Sequence, residues 1–264
     1  MMHSYVARTA WQQPYLMHMV LAVASAHLRR LVSSTDQPKR HSSLVVADVS
    51  HWQTGLELYR CALSSPANDV RQQGDALVST TFIAVLYAFA LGDEVAPNAY
   101  SLDYDCAVRN ALSPMAAASG MAVLRSAFGV PDLSTAWRAV LLTSDDRHCT
   151  FTCQDSGVAG IPPAFVDLCG LEDTSTPKNN AYHAILRHLS PLLIVEPSNE
   201  HFVRLISFGA RTFHNFRLLL EHRDTKALLL LSYWFALLSR LNQWYVYQKT
   251  EPPAGELLIS SPPL

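Results

Sequence analysis

Hydroxyl and aromatic side chains set within apolar segments are the residues of this sequence best suited to chemistry. Thr80, Thr81 and Tyr87 lie in the stretch ALVSTTFIAVLYAFAL, and Tyr233 and Trp234 lie in ALLLLSYWFALL. A buried Tyr O–H or Trp N–H needs a hydrogen-bond partner, and a ligand in a pocket is one such partner. The alternative for the Ser and Thr hydroxyls is a bond to the carbonyl one turn back, which is common inside helices.

Metal binding and nucleophilic catalysis find little support in the sequence. His148 and Cys149 lie near Cys153, but structural zinc needs four converging ligands, and the nearest further candidate, Cys169, stands alone. The sequence contains no nucleophile elbow, phosphate-binding glycine loop, dinucleotide fingerprint or zinc-protease motif. We therefore expect no metal site and no cofactor.

The composition limits the partners of the chain. Of its 264 residues, 49% are hydrophobic and 16% are charged, against roughly 25% charged in typical soluble domains. Such a charge-poor chain is expected to have a partner, an oligomeric state or a large ligand-binding interior. The net charge of −2 argues against direct nucleic-acid binding, which needs a basic surface.

The cellular compartment is expected to be the cytoplasm or nucleus. Five cysteines without a framework spacing favour reduced thiols. The longest apolar run is bounded by Lys226 and Arg240 and is too short for the roughly 20 residues of a membrane span. The first fifty residues show no signal peptide. We expect an intracellular protein with no membrane span.

The pattern of apolar residues predicts an all-α fold, a single multi-helix bundle over residues 1–264. No strand alternation appears, and turns recur between segments of helical length. His18 and His27, at helical spacing, are interpreted as histidines with hydrogen-bond partners inside the bundle. The predicted helices are 11–31, 43–63, 69–91, 100–111, 114–128, 131–142, 164–169, 179–193, 199–220 and 225–248, with an irregular loop at 143–163.

Two details of these helices can be checked directly. Residues 227–238 are apolar around the whole helix, apart from Ser232 and the polar tip of Tyr233, so the last helix is expected to be a core helix buried on every side. The second helix is expected to bury one apolar face, formed by Val46, Val49, Trp52, Leu56, Tyr59 and Leu63.

Three segments together resemble a known family. PYLMHMVLAVASAHLRRL and HWQTGLELYRCAL resemble the opening helices, and ALLLLSYWFALLSRLNQWY the closing helix, of the C-terminal regulatory domain of fungal zinc-cluster transcription factors. The closest subgroup is the sterol-uptake-control type. The resemblance implies an all-helical bundle, often dimeric, that encloses a hydrophobic ligand among its C-terminal helices. A homodimer is therefore left open.

The sequence departs from this family in one respect. The six-cysteine DNA-reading module is absent, and Met1 lies almost at the first regulatory helix. The chain is therefore expected either to be a piece of a longer regulator or to be a natural protein that has lost its DNA reader. In both cases it is not expected to bind DNA alone.

Two functions that use a pocket remain open on these residues, and a dimerisation scaffold without a pocket is a third possibility. The first is a sensor or regulatory module that binds a sterol- or terpenoid-like molecule in an internal pocket. The alternative is a stand-alone, cofactor-independent cyclase of fungal secondary metabolism, acting on a terpenoid or polyene by pericyclic, Diels–Alder-type chemistry, for which near-attack geometry and one donor to a carbonyl can suffice. The residues expected to line the pocket are Thr80, Thr81, Tyr87, Met121, Phe208, Tyr233, Trp234, Leu237 and Trp244.

Overall fold

The architecture is helical throughout the part of the chain that is described. The computed structural model describes residues 2–32, 36–66, 73–91, 104–128, 133–134, 137–138, 156–196, 198, 201–241 and 243. Within them no strand is present, which confirms the predicted all-α fold. The helices are α1 (Met2–Gln12), α2 (Pro14–Leu31), α3 (Pro38–Leu63), α4 (Gly74–Ala90), α5 (Tyr104–Phe128), α6 (Pro163–Cys169), α7 (Ala181–Leu193), α8 (Phe202–Glu221) and α9 (Thr225–Ser239).

Helix α4 lies at the centre of the packing. It packs against α2 and α5 and also touches α1 and α3. Its buried residues point in several directions, because Leu77, Tyr87 and Phe89 each belong to a different apolar cluster. The sequence pattern of α4 agrees, since apolar or small residues occur around the whole helix.

The C-terminal helices form the largest apolar cluster. Helices α7, α8 and α9 pack together, and α5 packs against α8. Met115 of α5, Leu186 of α7, Phe216 of α8 and Trp234 of α9 are all fully enclosed there. Helices α7 and α8 show the amphipathic pattern that predicts one buried face each.

The last helix differs from its prediction in length and in burial. Helix α9 ends at Ser239, and Arg240 follows as its C-cap, so the predicted extension to residue 248 is wrong over the described residues. Leu229 and Tyr233 are 42% and 41% exposed, so burial on every side is also wrong. An apolar surface is buried only where a neighbour covers it, and α7 and α8 cover one side of α9.

Proline explains three wrong helix boundaries. Pro14 and Pro38 each occupy the first turn of a helix, where the missing N–H costs nothing. Helix α1 precedes Pro14 as a separate element, and α3 begins at Pro38 rather than at residue 43. Pro114 lies inside α5, which is one helix where the sequence predicts two. Packing of α5 against both α4 and α8 offsets the hydrogen bond that Pro114 removes.

The second predicted helix buries only part of its predicted apolar face. Val46 is 69% exposed and Val49 is 45% exposed, whereas Trp52 and Tyr59 pack against buried clusters, so the prediction is wrong for the two valines. The buried residues of α3 are Asp48 and Gly55. An acidic residue is buried here because it meets a charged partner on α2, which a pattern of apolar residues does not reveal.

The end of α6 agrees with its prediction, the start of α4 differs from its prediction, and other predicted boundaries lie outside the described residues. Gly170 ends α6 in the left-handed conformation, with φ of 62°, where a glycine is favoured. Helix α4 begins at Gly74, five residues after the predicted start at residue 69. Residue 69 itself, and most of the predicted helix 131–142 and loop 143–163, lie outside the described residues. No helix among the described residues is long and apolar enough to cross a bilayer.

Two glycines in buried helices predict opposite effects of substitution by alanine. A Cβ at Gly209 would lie 3.1 Å from Cη2 and Cζ2 of Trp234 and 3.2 Å from Cγ of Met115. We expect Gly209→Ala to be destabilising, because overpacking costs about 1–3 kcal/mol against a gain in helix propensity of at most about 1 kcal/mol.

Gly120 provides the matched control. A Cβ there would meet Cγ2 of Thr81 at 3.6 Å, an ordinary contact. Gly120→Ala should therefore stabilise the protein by up to about 1 kcal/mol through helix propensity. Urea unfolding followed by circular dichroism measures both effects, and midpoints that move in the same direction for both variants would contradict the close packing at Gly209.

Candidate functional site

The predicted pocket residues divide between separate parts of the fold. Phe208, Trp234 and Leu237 share the large C-terminal cluster. Met121 packs at the edge of the N-terminal cluster, and Tyr87 belongs to a third cluster between α2, α3 and α4. Thr80 and Thr81 are buried on α4, and Tyr233 is exposed on α9. Trp244 lies outside the described residues.

The hydroxyls of the two threonines are bonded within the protein. Thr80 Oγ1 donates to the carbonyl of Ala76 at 2.8 Å, and Thr81 Oγ1 lies 2.9 Å from that of Leu77. Thr81 Oγ1 also lies 2.7 Å from the Tyr59 hydroxyl. Both threonines therefore have the bond to the preceding turn that the sequence raised as the alternative to ligand contact.

Tyr87 is part of a buried ionic network that joins three helices. Its hydroxyl donates to Oδ1 of Asp48 on α3 at 2.6 Å. Asp48 Oδ2 lies 3.0 Å from Nη2 of Arg29 on α2, and the Arg29 and Asp48 side chains are only 6% and 2% exposed. Trp52 stacks on the Tyr87 ring with centroids 4.0 Å apart. The name ionic network is used for the set of Arg29, Asp48, Trp52 and Tyr87.

Burial is the largest influence on the pKa values of Asp48 and Tyr87 in this network. It raises the pKa of the Asp48 carboxyl, although the Tyr87 hydrogen bond and the Arg29 charge act in the opposite direction. Burial and the bond to Asp48 also raise the pKa of Tyr87, so the phenol remains a donor at neutral pH. The network therefore joins α2, α3 and α4 through paired polar groups.

Removal of the Tyr87 hydroxyl should destabilise the fold. Tyr87→Phe keeps the ring but leaves Oδ1 of buried Asp48 without this donor, which costs about 1–3 kcal/mol. Tyr233→Phe is the control, because Tyr233 is exposed and its hydroxyl bonds to no described residue. Its effect should stay within about 0.5 kcal/mol. Equal unfolding free energies in denaturant for the two variants would show that the Tyr87 bond contributes nothing.

An aromatic cluster surrounds Trp234. Its rings belong to Phe89, Phe208, Phe216, Trp234 and Phe235, and this set is called the Trp234 cluster. The centroid of Trp234 lies 5.6 Å from that of Phe208 and 5.0 Å from that of Phe235. The indole Nε1–H donates to the carbonyl of Leu205 at 2.8 Å. The cluster is therefore apolar, and the indole N–H already has a partner.

Tyr233 lies on the exposed side of α9. It is the one exposed member of the predicted set among the residues that the structure describes. Its ring meets Phe165 of α6 edge-on, with centroids 5.1 Å apart. A tyrosine with an anchored ring and a free hydroxyl can offer a hydrogen bond to a molecule outside the helix bundle.

His183 and Arg187 form a buried basic pair that sequence reasoning missed. They lie one turn apart on α7 and are 0% and 7% exposed. His183 Nε2 lies 3.1 Å from the carbonyl of Gly157, and Arg187 donates to those of Ser156 and Ala159 at 3.1 and 2.8 Å. The pair holds the segment before α6 against α7. Two basic residues one turn apart in an apolar helix were the available signal.

The electrostatics of His183 favour its neutral form. Burial lowers its pKa, the Gly157 carbonyl opposes this by raising it, and the positive Arg187 lowers it further. Nδ1 of His183 is buried and has no hydrogen-bond partner among the described residues. Protonation would therefore place a second positive charge beside Arg187 with nothing described to receive the new N–H.

This arrangement predicts acid sensitivity. The folded state binds the His183 proton less readily than the unfolded chain does, so stability is present above the unfolded pKa of about 6.5 and is lost as the pH falls towards the folded pKa. We expect the unfolding free energy to drop between about pH 7.5 and pH 5.5, and to drop less in His183→Gln. The exposed imidazole of His214 provides the control, and His214→Gln should retain the full drop. A pH dependence unchanged by His183→Gln would refute this role.

A polar contact also links α7 to α9. The Tyr182 hydroxyl donates to Oδ2 of Asp224 at 2.6 Å, and Oδ1 of Asp224 caps α9 by accepting the N–H of Ala227 at 2.7 Å. Lys226 Nζ lies 5.8 Å from the centroid of the Tyr182 ring. Burial and the bond to Asp224 raise the pKa of Tyr182. Asp224 is therefore occupied in holding two helices together.

Candidate metal ligands are not clustered in the described part of the chain. Among the described residues, no group of three or more His, Cys, Asp and Glu side chains converges. Cys61 and Cys169 are free thiols.

Comparison of the sequence with protein-family models and with curated proteins gives no match. The fold therefore defines the described part of the chain as all-helical.

Proposed function

We propose that this chain binds a hydrophobic small molecule of the sterol or terpenoid type and acts as a sensor or regulatory module. The proposed ligand lies against the C-terminal helices, where Phe208, Trp234 and Leu237 come together. The resemblance of the sequence to the sterol-uptake-control regulatory domain supports the same ligand class. Occupancy would be passed to a partner protein through the positions of α8 and α9.

The observation that carries this proposal is the composition of the Trp234 cluster. Ligand sites are mostly apolar, with a few polar groups in fixed places. The rings around Trp234 are apolar, and the indole N–H is already bonded to Leu205. A ligand with a hydrocarbon surface leaves no buried polar group unpaired in such surroundings, whereas a polar ligand would lose its bonds to water.

Tyr233 supplies the polar contact in this proposal. Its hydroxyl bonds to no described residue, and its ring rests on Phe165 at the exposed side of α9. We assign it to the hydroxyl or carbonyl group of the ligand. Thr80, Thr81 and Tyr87 have internal bonds, so their proposed role is to hold α4 as the wall behind the ligand. Met121 lies on α5 at the edge of the N-terminal cluster and is given no contact with the ligand in this proposal.

The same free hydroxyl favours a second candidate function. In a cofactor-independent cyclase, Tyr233 would donate to a substrate carbonyl on which negative charge develops. The aromatic rings would hold a linear terpenoid or polyene in a near-attack geometry. Binding remains the first candidate because it requires only the apolar cluster and the polar contact, with no reaction.

Ligand-dependent stabilisation tests the binding function. The purified chain is heated with a sterol, a cyclic terpenoid or a linear terpenoid, and unfolding is followed by circular dichroism. A ligand at 100 times its Kd should add about 2.7 kcal/mol to stability. Tyr233→Ala should reduce this gain. Leu229→Ala, on the same helix and equally exposed, should leave it unchanged.

Product analysis separates the two functions. Mass spectrometry of each incubation detects cyclic product formed faster than in buffer alone, which would establish the cyclase and rule out a pure sensor. Stabilisation without product supports the sensor. The binding proposal is wrong if none of the three ligand classes stabilises the chain, or if Leu229→Ala reduces the gain as strongly as Tyr233→Ala.

A further inference from the structure

We propose that His18 and His51 form a binding site for a divalent transition metal ion between α2 and α3. The two Nδ1 atoms lie 3.0 Å apart and face each other across the interface. The ring centroids are 5.1 Å apart, with an interplanar angle of 49°. The site is independent of the proposed hydrophobic ligand, because it lies on two helices that contribute nothing to the Trp234 cluster.

The distance between the two nitrogens fits a shared metal ion. Zn–N bonds are about 2.0–2.1 Å long, so two ligands at angles between 90° and 109° are separated by about 2.9–3.4 Å. The observed separation of 3.0 Å falls within this range. Neutral imidazole binds metals through either ring nitrogen. Because the ion would lie to one side of the line that joins the two nitrogens, both rings must turn so that their lone pairs converge on it.

The local sequence explains why the rings meet. Helices α2 and α3 pack closely along their length, and Gly55 lies one turn after His51. A Cβ at Gly55 would lie 3.3 Å from Cβ of His18 and 3.2 Å from Cγ of Met19. The absence of a side chain at this position brings the α3 backbone against α2, and His51 then lies opposite His18.

The ligand set selects the class of metal. Imidazole suits Zn²⁺, Cu²⁺ and Ni²⁺, whereas Mg²⁺ and Ca²⁺ prefer oxygen ligands. Both histidines are partly buried, and no third His, Cys, Asp or Glu joins them among the described residues. Water completes the coordination, so the ion is exchangeable and holds α2 to α3 without being required for folding.

Proton balance sets the pH dependence of binding. In the neutral pair one ring donates its Nδ1–H to the other ring. Metal binding needs both Nδ1 lone pairs, so the donor ring moves that proton to its Nε2, with no net release. Where one ring is an imidazolium, a proton leaves to solvent for each ion bound. Affinity should therefore fall in acid.

The test is a metal titration of the full chain after dialysis against a chelator. Zn²⁺ binding is measured by competition with a chromophoric chelator in wild type, His18→Gln, His51→Gln and the control His214→Gln, whose imidazole is exposed on α8. One Zn²⁺ should bind in the wild type and in the control. Affinity should fall at least about tenfold in each of the other two variants.

A spectroscopic readout keeps the proposal testable if a variant folds poorly. Cu²⁺ bound to the wild type should show electron paramagnetic resonance coupling to two imidazole nitrogens at pH 7.5, and this signal should disappear when the sample is acidified. The proposal is overturned if the wild type binds no ion, if either substitution leaves the affinity unchanged, or if His214→Gln weakens binding as much. Circular dichroism of each metal-free variant verifies its fold.

Discussion

The enclosure of α4 is the constraint on which the rest of the structure depends. A helix that is covered on several sides must place every polar group against a partner, because an unpaired buried group costs free energy. Ser79, Thr80 and Thr81 meet this requirement with bonds to the carbonyls one turn back. Trp137 then donates its indole N–H to Ser79 at 2.9 Å. The hydroxyl groups within the mostly apolar helix α4 are thus bonded inside the protein.

Two sides of α4 face different physical environments near its C-terminal end, where Tyr87 and Phe89 point into different clusters. Toward the hairpin of α2 and α3, position is fixed by charge through Arg29, Asp48 and Tyr87. Such a network is a weak source of net stability, because desolvation offsets the attraction, but breaking it is costly. Toward α8 and α9, position is fixed by ring packing around Trp234. The charged side is therefore suited to a defined arrangement of helices, and the aromatic side to an apolar ligand.

The sequence predicted the helices better than it predicted their exposed and buried faces. The helices around residues 164–169, 179–193 and 199–220 occur within a few residues of their predicted positions. Val46 and Val49, however, are exposed on a face predicted to be buried, while Asp48 is enclosed. The apolar pattern depends only on the residue types within one helix. It does not reveal that Arg29 lies on the neighbouring helix, within reach of Asp48. Asp48 within an apolar segment was the signal that a buried pair was present.

The sequence predicts only part of the candidate site, because it does not show which buried residues become neighbours. Phe208, Trp234 and Leu237 were chosen from two separate segments, and they do share one cluster. Tyr87 was chosen for its hydroxyl, which binds Asp48 instead of pointing into that cluster. The sequence shows that a buried hydroxyl needs a partner, but not which partner lies within reach. His183 and His51 were missed because their partners lie far away in the sequence.

The sequence by itself determined that this protein is helical, where most of its helices lie and which segments are apolar enough to form a core. These properties follow from the local spacing of residues along each helix. The tertiary structure alone decided that α4 is enclosed while α9 exposes Leu229 and Tyr233. It also decided that His18 faces His51. The reason is that burial and pairing depend on which helices become neighbours, which is set by packing across the whole chain.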